Sequence, residues 1–303
     1  MAKWLNNVLV KTVPFAPKFV VGLVAKKYVS GETVDDALRV INDLNRQSFN
    51  TTVDILGEHI QYLDETELYV NMYAELISRI NPIKNSNTIS LKLSMLGIEL
   101  DRDKAWQNFE TILKPAKQNR LSLCIDMEDS SLTDITLEFF KKGKSLYQDV
   151  TTVLQAYLFR SHDDLESILP LRPNVRICKG IYKESPKIAY QDPDRIREKF
   201  FSLVKILLKS DGFAAIATHD LELISVCEEY IKTNNIPAER YEFQALYGVP
   251  IQNTLKRLVE DGHTVRIYVP YGKDWYPYSM RRLKENPDIA GYIFKDFFRI
   301  KSR

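Results

Sequence analysis

Eight short runs of β-branched or apolar residues recur from residue 50 onward, separated by amphipathic stretches long enough for a helix. They are 51–56, 89–93, 121–125, 150–155, 174–178, 214–217, 241–245 and 265–268. Strands alternating with helices predict a parallel sheet, because each crossover must return the chain to the same end of the sheet before the next strand begins. Eight such units in roughly 250 residues have the size of a closed (β/α)8 barrel, whereas open doubly wound sheets use fewer strands. No Pro/Gly/Ser-rich linker, charge block or repeat breaks the rhythm. The expected fold is therefore α/β, a TIM-type (β/α)8 barrel over 49–303 preceded by an N-terminal helical extension over 1–48. Within the extension, Thr33 and Asp36 form a candidate capping box ahead of Val34, Ala37, Leu38, Ile41 and Leu44, which predicts a helix from about 34 to 46. Residues 3–28 alternate Lys with apolar residues around Pro14 and Pro17, a pattern for short amphipathic helices that pack on the barrel or on a lipid surface.

Charge excludes one class of partner. With 42 basic and 40 acidic residues the net charge is +2, too small to hold a polyanionic partner, nucleic acid or an anionic membrane, by its field alone. Three scattered cysteines, at 124, 178 and 227, suit neither a disulfide framework nor a zinc site and point to a reducing, cytoplasmic setting. The apolar run from Phe19 to Ala25 is far shorter than the roughly 20 residues of a membrane span.

In this fold, chemistry collects where the strands end. Those ends carry Glu58, Lys92, Asp126 with Glu128, Gln155, Arg176 with Lys179, Thr218 with His219, Gln244 and Tyr268. Motif spacing removes several reactions. The glycines contain no G-x-G pair for a Rossmann fingerprint, and Gly143-Lys144-Ser145 lacks the first glycine of a phosphate loop. His59, His162, His219 and His263 show no metal-binding spacing, and there is no G-x-S-x-G elbow. No metal is expected. The segment 265–286 reads VRIYVPYGKDWYPYSMRRLKEN, a strand followed by a helix on which Arg281 and Glu285 share a face at i, i+4 spacing beside Arg282. Two guanidiniums near one carboxylate suit a zwitterion, since arginine grips a carboxylate bidentately. An ordinary solvated ion pair is the competing reading of the same residues.

Seven motifs in collinear order resemble the proline dehydrogenase family: ISLKLSMLG (89–97), LCIDMED (123–129), TVLQAYL (152–158), VRICKGIYKE (175–184), ATHD (217–220), YEFQALYG (241–248) and RIYVPYG with YSMRRLKEN (266–286). The resemblance implies a distorted (β/α)8 barrel that binds FAD without a Rossmann domain and oxidises L-proline to 1-pyrroline-5-carboxylate by hydride transfer, the first step of proline catabolism. It implies that Lys92, Arg281 and Arg282 hold the proline carboxylate, with Glu285 and Asp126 bonding these cations. Tyr268, Tyr278 and Leu246 would line the pyrrolidine ring, and a tyrosine at 268 favours L-proline over hydroxylated proline. Arg176 would lie beside the reactive flavin nitrogen and Gln155 against the flavin ring. Lys179, Gly180, Ile181, Thr218 and His219 would hold the rest of the cofactor, with Met127 contributing backbone.

Two residues depart from the family pattern: Lys183 where relatives stack an aromatic on adenine, and Asp220 where an asparagine is common. They put FAD affinity in question. The resemblance also implies a membrane quinone as electron acceptor, reached by a peripheral contact of the N-terminus with the inner face of the cell membrane. Two other functions fit the residues alone. One is a Schiff-base lyase or aldolase using Lys92 or Lys179, and the other is a non-catalytic amino-acid-binding barrel.

Overall fold

The computed structural model describes residues 21–22, 25, 27–80 and 87–285, the last five as backbone only. Most of the lysine-rich stretch 3–28, and the side chains of Arg281, Arg282 and Glu285, lie outside the described residues. Helix α1 (Val34–Arg46) leads into β1 (Asn50–Ile55), and strands and helices then alternate: α2 (Glu65–Ile80), β2 (Asn87–Leu91), α3 (Arg102–Gln118), β3 (Ser122–Ile125), α4 (Thr133–Leu146) and β4 (Val150–Gln155). They continue as α5 (Ser161–Ile168), β5 (Asn174–Cys178), α6 (Pro193–Lys209), β6 (Phe213–Ala217), α7 (Leu221–Thr233), β7 (Tyr241–Leu246), α8 (Gln252–Glu260), β8 (Val265–Tyr271) and α9 (Trp275–Glu285). The eight strands pair in sequence order into a closed barrel, every pair parallel, with β8 returning to β1. The expected TIM-type barrel is the one observed.

Helix α1 begins where its sequence requires. The Thr33 hydroxyl accepts from the Asp36 amide, and the Asp36 carboxylate accepts from the Thr33 amide, so the capping box is complete. Its apolar stripe, Val34, Ala37, Ile41 and Leu44, is buried against β1 and β8, over the seam where the first and last strands meet. The chain before it is tied to the same place, with Ser30 donating to the Pro270 carbonyl and Gly31 accepting from the Gly272 amide. Val21 and Tyr28 are also buried in the common core. Thr33→Ala is expected to cost about 1 kcal/mol and to lower Tm by about 2 °C, read by thermal unfolding.

The apolar core lies between strands and helices. The barrel interior is different. Barrels of this type are ordinarily filled by layers of Val, Ile and Leu. Here Thr52 and Asp54 of β1, Cys124 of β3, Arg176 of β5, Glu242 and Gln244 of β7, and Arg266 and Tyr268 of β8 line two cavities, one at each end of the barrel. Alternation along each strand puts these residues inside and their neighbours, such as Val53, Ile177, Phe243 and Ile267, in the surrounding core.

Candidate active site

The larger cavity, of about 890 Å³, opens at the carboxyl ends of the strands. Each site residue that the family resemblance implies and whose side chain is described lines it: Lys92, Asp126, Met127, Gln155, Arg176, Lys179, Gly180, Ile181, Thr218, His219, Leu246, Tyr268 and Tyr278. Arg281, Arg282 and Glu285 continue the helix that carries Tyr278, and nothing more is described of them than this backbone position.

Asp126, one residue beyond β3, is the hub. One of its carboxylate oxygens accepts from Ser90 Oγ at 2.5 Å and from Arg176 at 2.7 Å, and the other accepts from the Tyr268 hydroxyl at 2.6 Å. Burial works to raise its pKa, but the charge of Arg176, then that of Lys92, and the Ser90 and Tyr268 hydrogen bonds hold it below the usual aspartate value. The Arg176 guanidinium also donates to Gln244 Oε1 at 2.9 Å and lies 4.9 Å from the centre of the Tyr268 ring, a cation–π distance. Its cationic form is favoured despite burial by the negative groups around it.

Lys92 leaves β2 and turns its ammonium to Asp54 at 2.6 Å. Among the described side chains, Asp126 is hydrogen-bonded to Arg176 and feels the charge of Lys92, whose own hydrogen-bond partner is Asp54. Asp54 is 2 % exposed. Burial, reinforced by the charge of Asp126, pushes its carboxyl up to about 6 in spite of Lys92. Burial opposes the charge of Lys92, and Asp54 followed by Asp126 more than offsets it, so Lys92 is held as an ammonium. Asp54 lies inside β1 and not beyond its end, where the sequence places the chemistry. The signal was the alternation in NTTVDI, where an acid falls on the inward face.

Toward the β4 to β6 side the cavity changes character. The Gln155 amide donates to the Glu128 carbonyl at 2.8 Å, while its buried Oε1 has no hydrogen-bond partner. Gly180 has φ +110°, and a Cβ there would lie 2.3 Å from the Tyr157 ring carbons. Only glycine allows the backbone to pass this close. Lys179 reaches Asp220 at 2.5 Å, and Arg197 of α6 reaches the same oxygen at 2.7 Å. Burial raises the Asp220 carboxyl, but these two cations bring it down to about 2. Asp220 is therefore neutralised and also caps α7 by accepting from the Glu222 amide. Arg197, in the second turn of α6, lies far from any strand end, which is why its part in the cavity is not legible in the sequence. His219 Nε2 accepts from the Leu246 amide at 3.1 Å, which links two lining residues. Glu128 does not face the mouth. It is 1 % exposed and accepts from the Ser94 amide and hydroxyl.

The sequence model of the proline dehydrogenase family matches residues 37–293. The chain is 36% identical to proline dehydrogenase 1 of Bacillus subtilis (strain 168) over 290 residues, 96% of this chain and 95% of the relative. It is 34% identical to the proline dehydrogenase of Deinococcus radiodurans over 274 residues, 89% and 88% of the two chains. Among solved structures, proline utilization A from Bdellovibrio bacteriovorus, inactivated by N-propargylglycine, superposes with a TM-score of 0.79 at 25% identity, covering 87% of this chain and 32% of that one. By the extent of the family match and of the identity to the Bacillus relative, the chain belongs to the proline dehydrogenase family.

Proposed function

We propose that the chain oxidises L-proline to 1-pyrroline-5-carboxylate with FAD bound in the mouth cavity. The observation that carries the reading is the convergence of Lys92, Asp126, Arg176, Tyr268 and Tyr278 on one cavity from five separate places in the chain. The residues present fit a flavin. Gln155 Oε1 is a buried acceptor lacking a donor, of the kind an isoalloxazine N–H supplies, and Gly180 brings bare backbone to the wall beside Lys179. Gln155 and Arg176 would hold the ring system, and Lys179, Gly180, Ile181, Thr218, His219 and the Met127 backbone the remainder. When bound, the flavin supplies the two-electron acceptor for the substrate hydride.

Lys92, with Arg281 and Arg282, takes the substrate carboxylate. Glu285 balances the arginines, and Asp54 already balances Lys92. Tyr268, Tyr278 and Leu246 confine the ring so that its donor carbon faces one direction, since alignment supplies much of the rate. Asp126 keeps its negative charge beside the substrate nitrogen, which favours a positive charge there. Arg176, spanning Asp126 and Gln244, is fixed in orientation before anything binds. A Schiff-base role for Lys92 fits poorly, because Asp54 holds it as an ammonium and an amine nucleophile must be neutral.

The test is anaerobic. Purified protein loaded with FAD should lose its yellow colour on adding L-proline and release 1-pyrroline-5-carboxylate, trapped as its o-aminobenzaldehyde adduct. Retention of colour with saturating proline would overturn the reading.

Asp54 gives the reading a pH signature. A carboxylate docking on Lys92 adds negative charge near Asp54 and pushes its pKa higher still. Binding therefore takes up a proton, and affinity rises as pH falls toward 6. Calorimetric titration with tetrahydrofuran-2-carboxylate, in two buffers of different ionisation enthalpy, should show uptake of a fraction of a proton, and Asp54→Asn should show none.

The proposal includes a lipid-soluble quinone as the electron acceptor, met at the inner membrane face through the apolar, basic residues 1–25. No helix among the described residues is long and apolar enough to cross a membrane. Deleting residues 1–25 should abolish partitioning onto anionic vesicles, and unchanged partitioning would remove the membrane contact.

A further inference from the structure

At the opposite end of the barrel a second cavity of about 380 Å³ is enclosed almost wholly by polar side chains. It opens beside Arg120 and Asp149, both exposed, and runs inward to Arg176 and Gln244, which line the mouth cavity as well. The two cavities thus share a wall of two side chains. Two buried polar atoms on this floor side, Thr52 Oγ1 and Asn87 Nδ2, have no hydrogen-bond partner in the protein. Thr52 is 1 % exposed and Asn87 is 4 %. Leaving such groups unpaired costs about 1–3 kcal/mol each, and a polar cavity of this size satisfies them with water, whereas only apolar cavities stay dry.

The shared wall is itself a hydrogen-bonded chain. Gln244 accepts from Arg176 and donates to Glu242 Oε1 at 2.6 Å, and the same oxygen accepts from Arg266 at 2.7 Å. Arg266 then donates to the Thr51 carbonyl at 2.8 Å. A string of charged groups along a barrel axis is tolerated only where each finds a partner, and water in the floor cavity would supply the donors and acceptors that the protein leaves open.

We propose that the floor cavity is a water-filled well forming a second solvent entrance to the barrel core, and that it keeps the Arg176 guanidinium in exchange with bulk solvent while the mouth is covered. The well rests on the polar interior and not on the identity of the substrate. Its ligand is water, and its place is beneath the proposed site.

The experiment uses the flavin-loaded protein, labelled with 15N-arginine, with the Arg176 Nε–H resonance assigned by its loss in Arg176→Lys. Exchange of this proton with deuterated solvent is followed with and without tetrahydrofuran-2-carboxylate, whose binding is verified beforehand by calorimetry. Failure to bind would count against the proposed function and not against the well. In the wild type the analogue should slow exchange by less than about tenfold, and in Thr52→Leu/Thr88→Phe, which puts bulky apolar side chains into the floor in place of two hydroxyls, by more than about tenfold. Slowing beyond that in the wild type, or a filled variant that exchanges like the wild type, would overturn the proposal. A high-resolution crystal structure of the wild-type protein decides independently of whether the variant folds. Ordered water bonded to Thr52 Oγ1, Asn87 Nδ2 and the Arg176 guanidinium supports the well, and an empty floor cavity refutes it.

Discussion

Asp126→Ala is expected to lower kcat/KM for proline on the order of 10³-fold and to destabilise the fold by about 3–5 kcal/mol. Both effects have one origin. The carboxylate receives Ser90, Arg176 and Tyr268, and its removal leaves a guanidinium with only 11% of its side chain exposed and without its counter-ion. Arg176 would then reorient toward Glu242 or solvent and surrender the position set by its two fixed partners. Asp126→Asn keeps the size and one acceptor oxygen but leaves the Arg176 guanidinium without its counter-ion, so it should recover only part of the stability and little of the activity, which separates packing from charge. The carboxyl is held below its ordinary value of about 3.9, so its contribution to stability is intact above that pH and fades as pH falls through the lowered value. Steady-state kinetics and thermal unfolding from pH 7 downward read both quantities. A variant within about threefold of wild type in kcat/KM would remove Asp126 from the site.

Gly180→Ala should give protein that retains its barrel but loses bound flavin, with apparent cofactor affinity weaker by about 10²-fold or more. The positive φ alone costs a non-glycine residue about 1 kcal/mol or more. The clash with the Tyr157 ring is the larger effect, because an approach of 2.3 Å to ring carbons cannot be relieved by rotating a flexible end. Tyr157 is 6 % exposed and packs with Leu158 and Ala189, so the loop 179–182 has to move instead. That loop carries Lys179 and Ile181 along the same cavity wall. Flavin fluorescence recovered after dialysis, set against the far-UV circular dichroism spectrum, measures the two halves of the expectation. A normally loaded Gly180→Ala protein would show that the loop does not form the cofactor wall.

Much of this architecture can be read from residue order because strand and helix periods are local properties. The run 150–155 and the run 174–178 coincide with β4 and β5, and the Thr33/Asp36 box starts α1 at Val34. The cavity residues were legible for a related reason: the carboxyl ends of the barrel strands and the turns that follow them ring the mouth. Pairing inside the cavity was not legible. Whether Lys92 bonds Asp54 or Asp126 depends on how far each strand is slid against its neighbour, and β1 to β2 register is fixed by packing over 36 residues of separation. Glu128 illustrates the opposite error. Its position two residues after Asp126 suggested chemistry, yet its carboxylate turns to Ser94 and stabilises the turn that follows Lys92. Asp220 shows what residue order hides of a departure from a family pattern: its carboxylate pairs with both Lys179 and Arg197.

The seam between β1 and β8 has a further consequence for synthesis of the chain. Six register pairs and the Arg266 to Thr51 bond join segments 215 residues apart, and α1 packs over the same junction. Neither edge of the emerging sheet is paired until the last strand leaves the ribosome. Between the synthesis of β1 and that of β8, β1 thus keeps one edge unpaired, open to chaperones and to misassociation with neighbouring nascent chains. A premature stop before codon 265 would remove the partner strand altogether and leave a polypeptide destined for proteolysis.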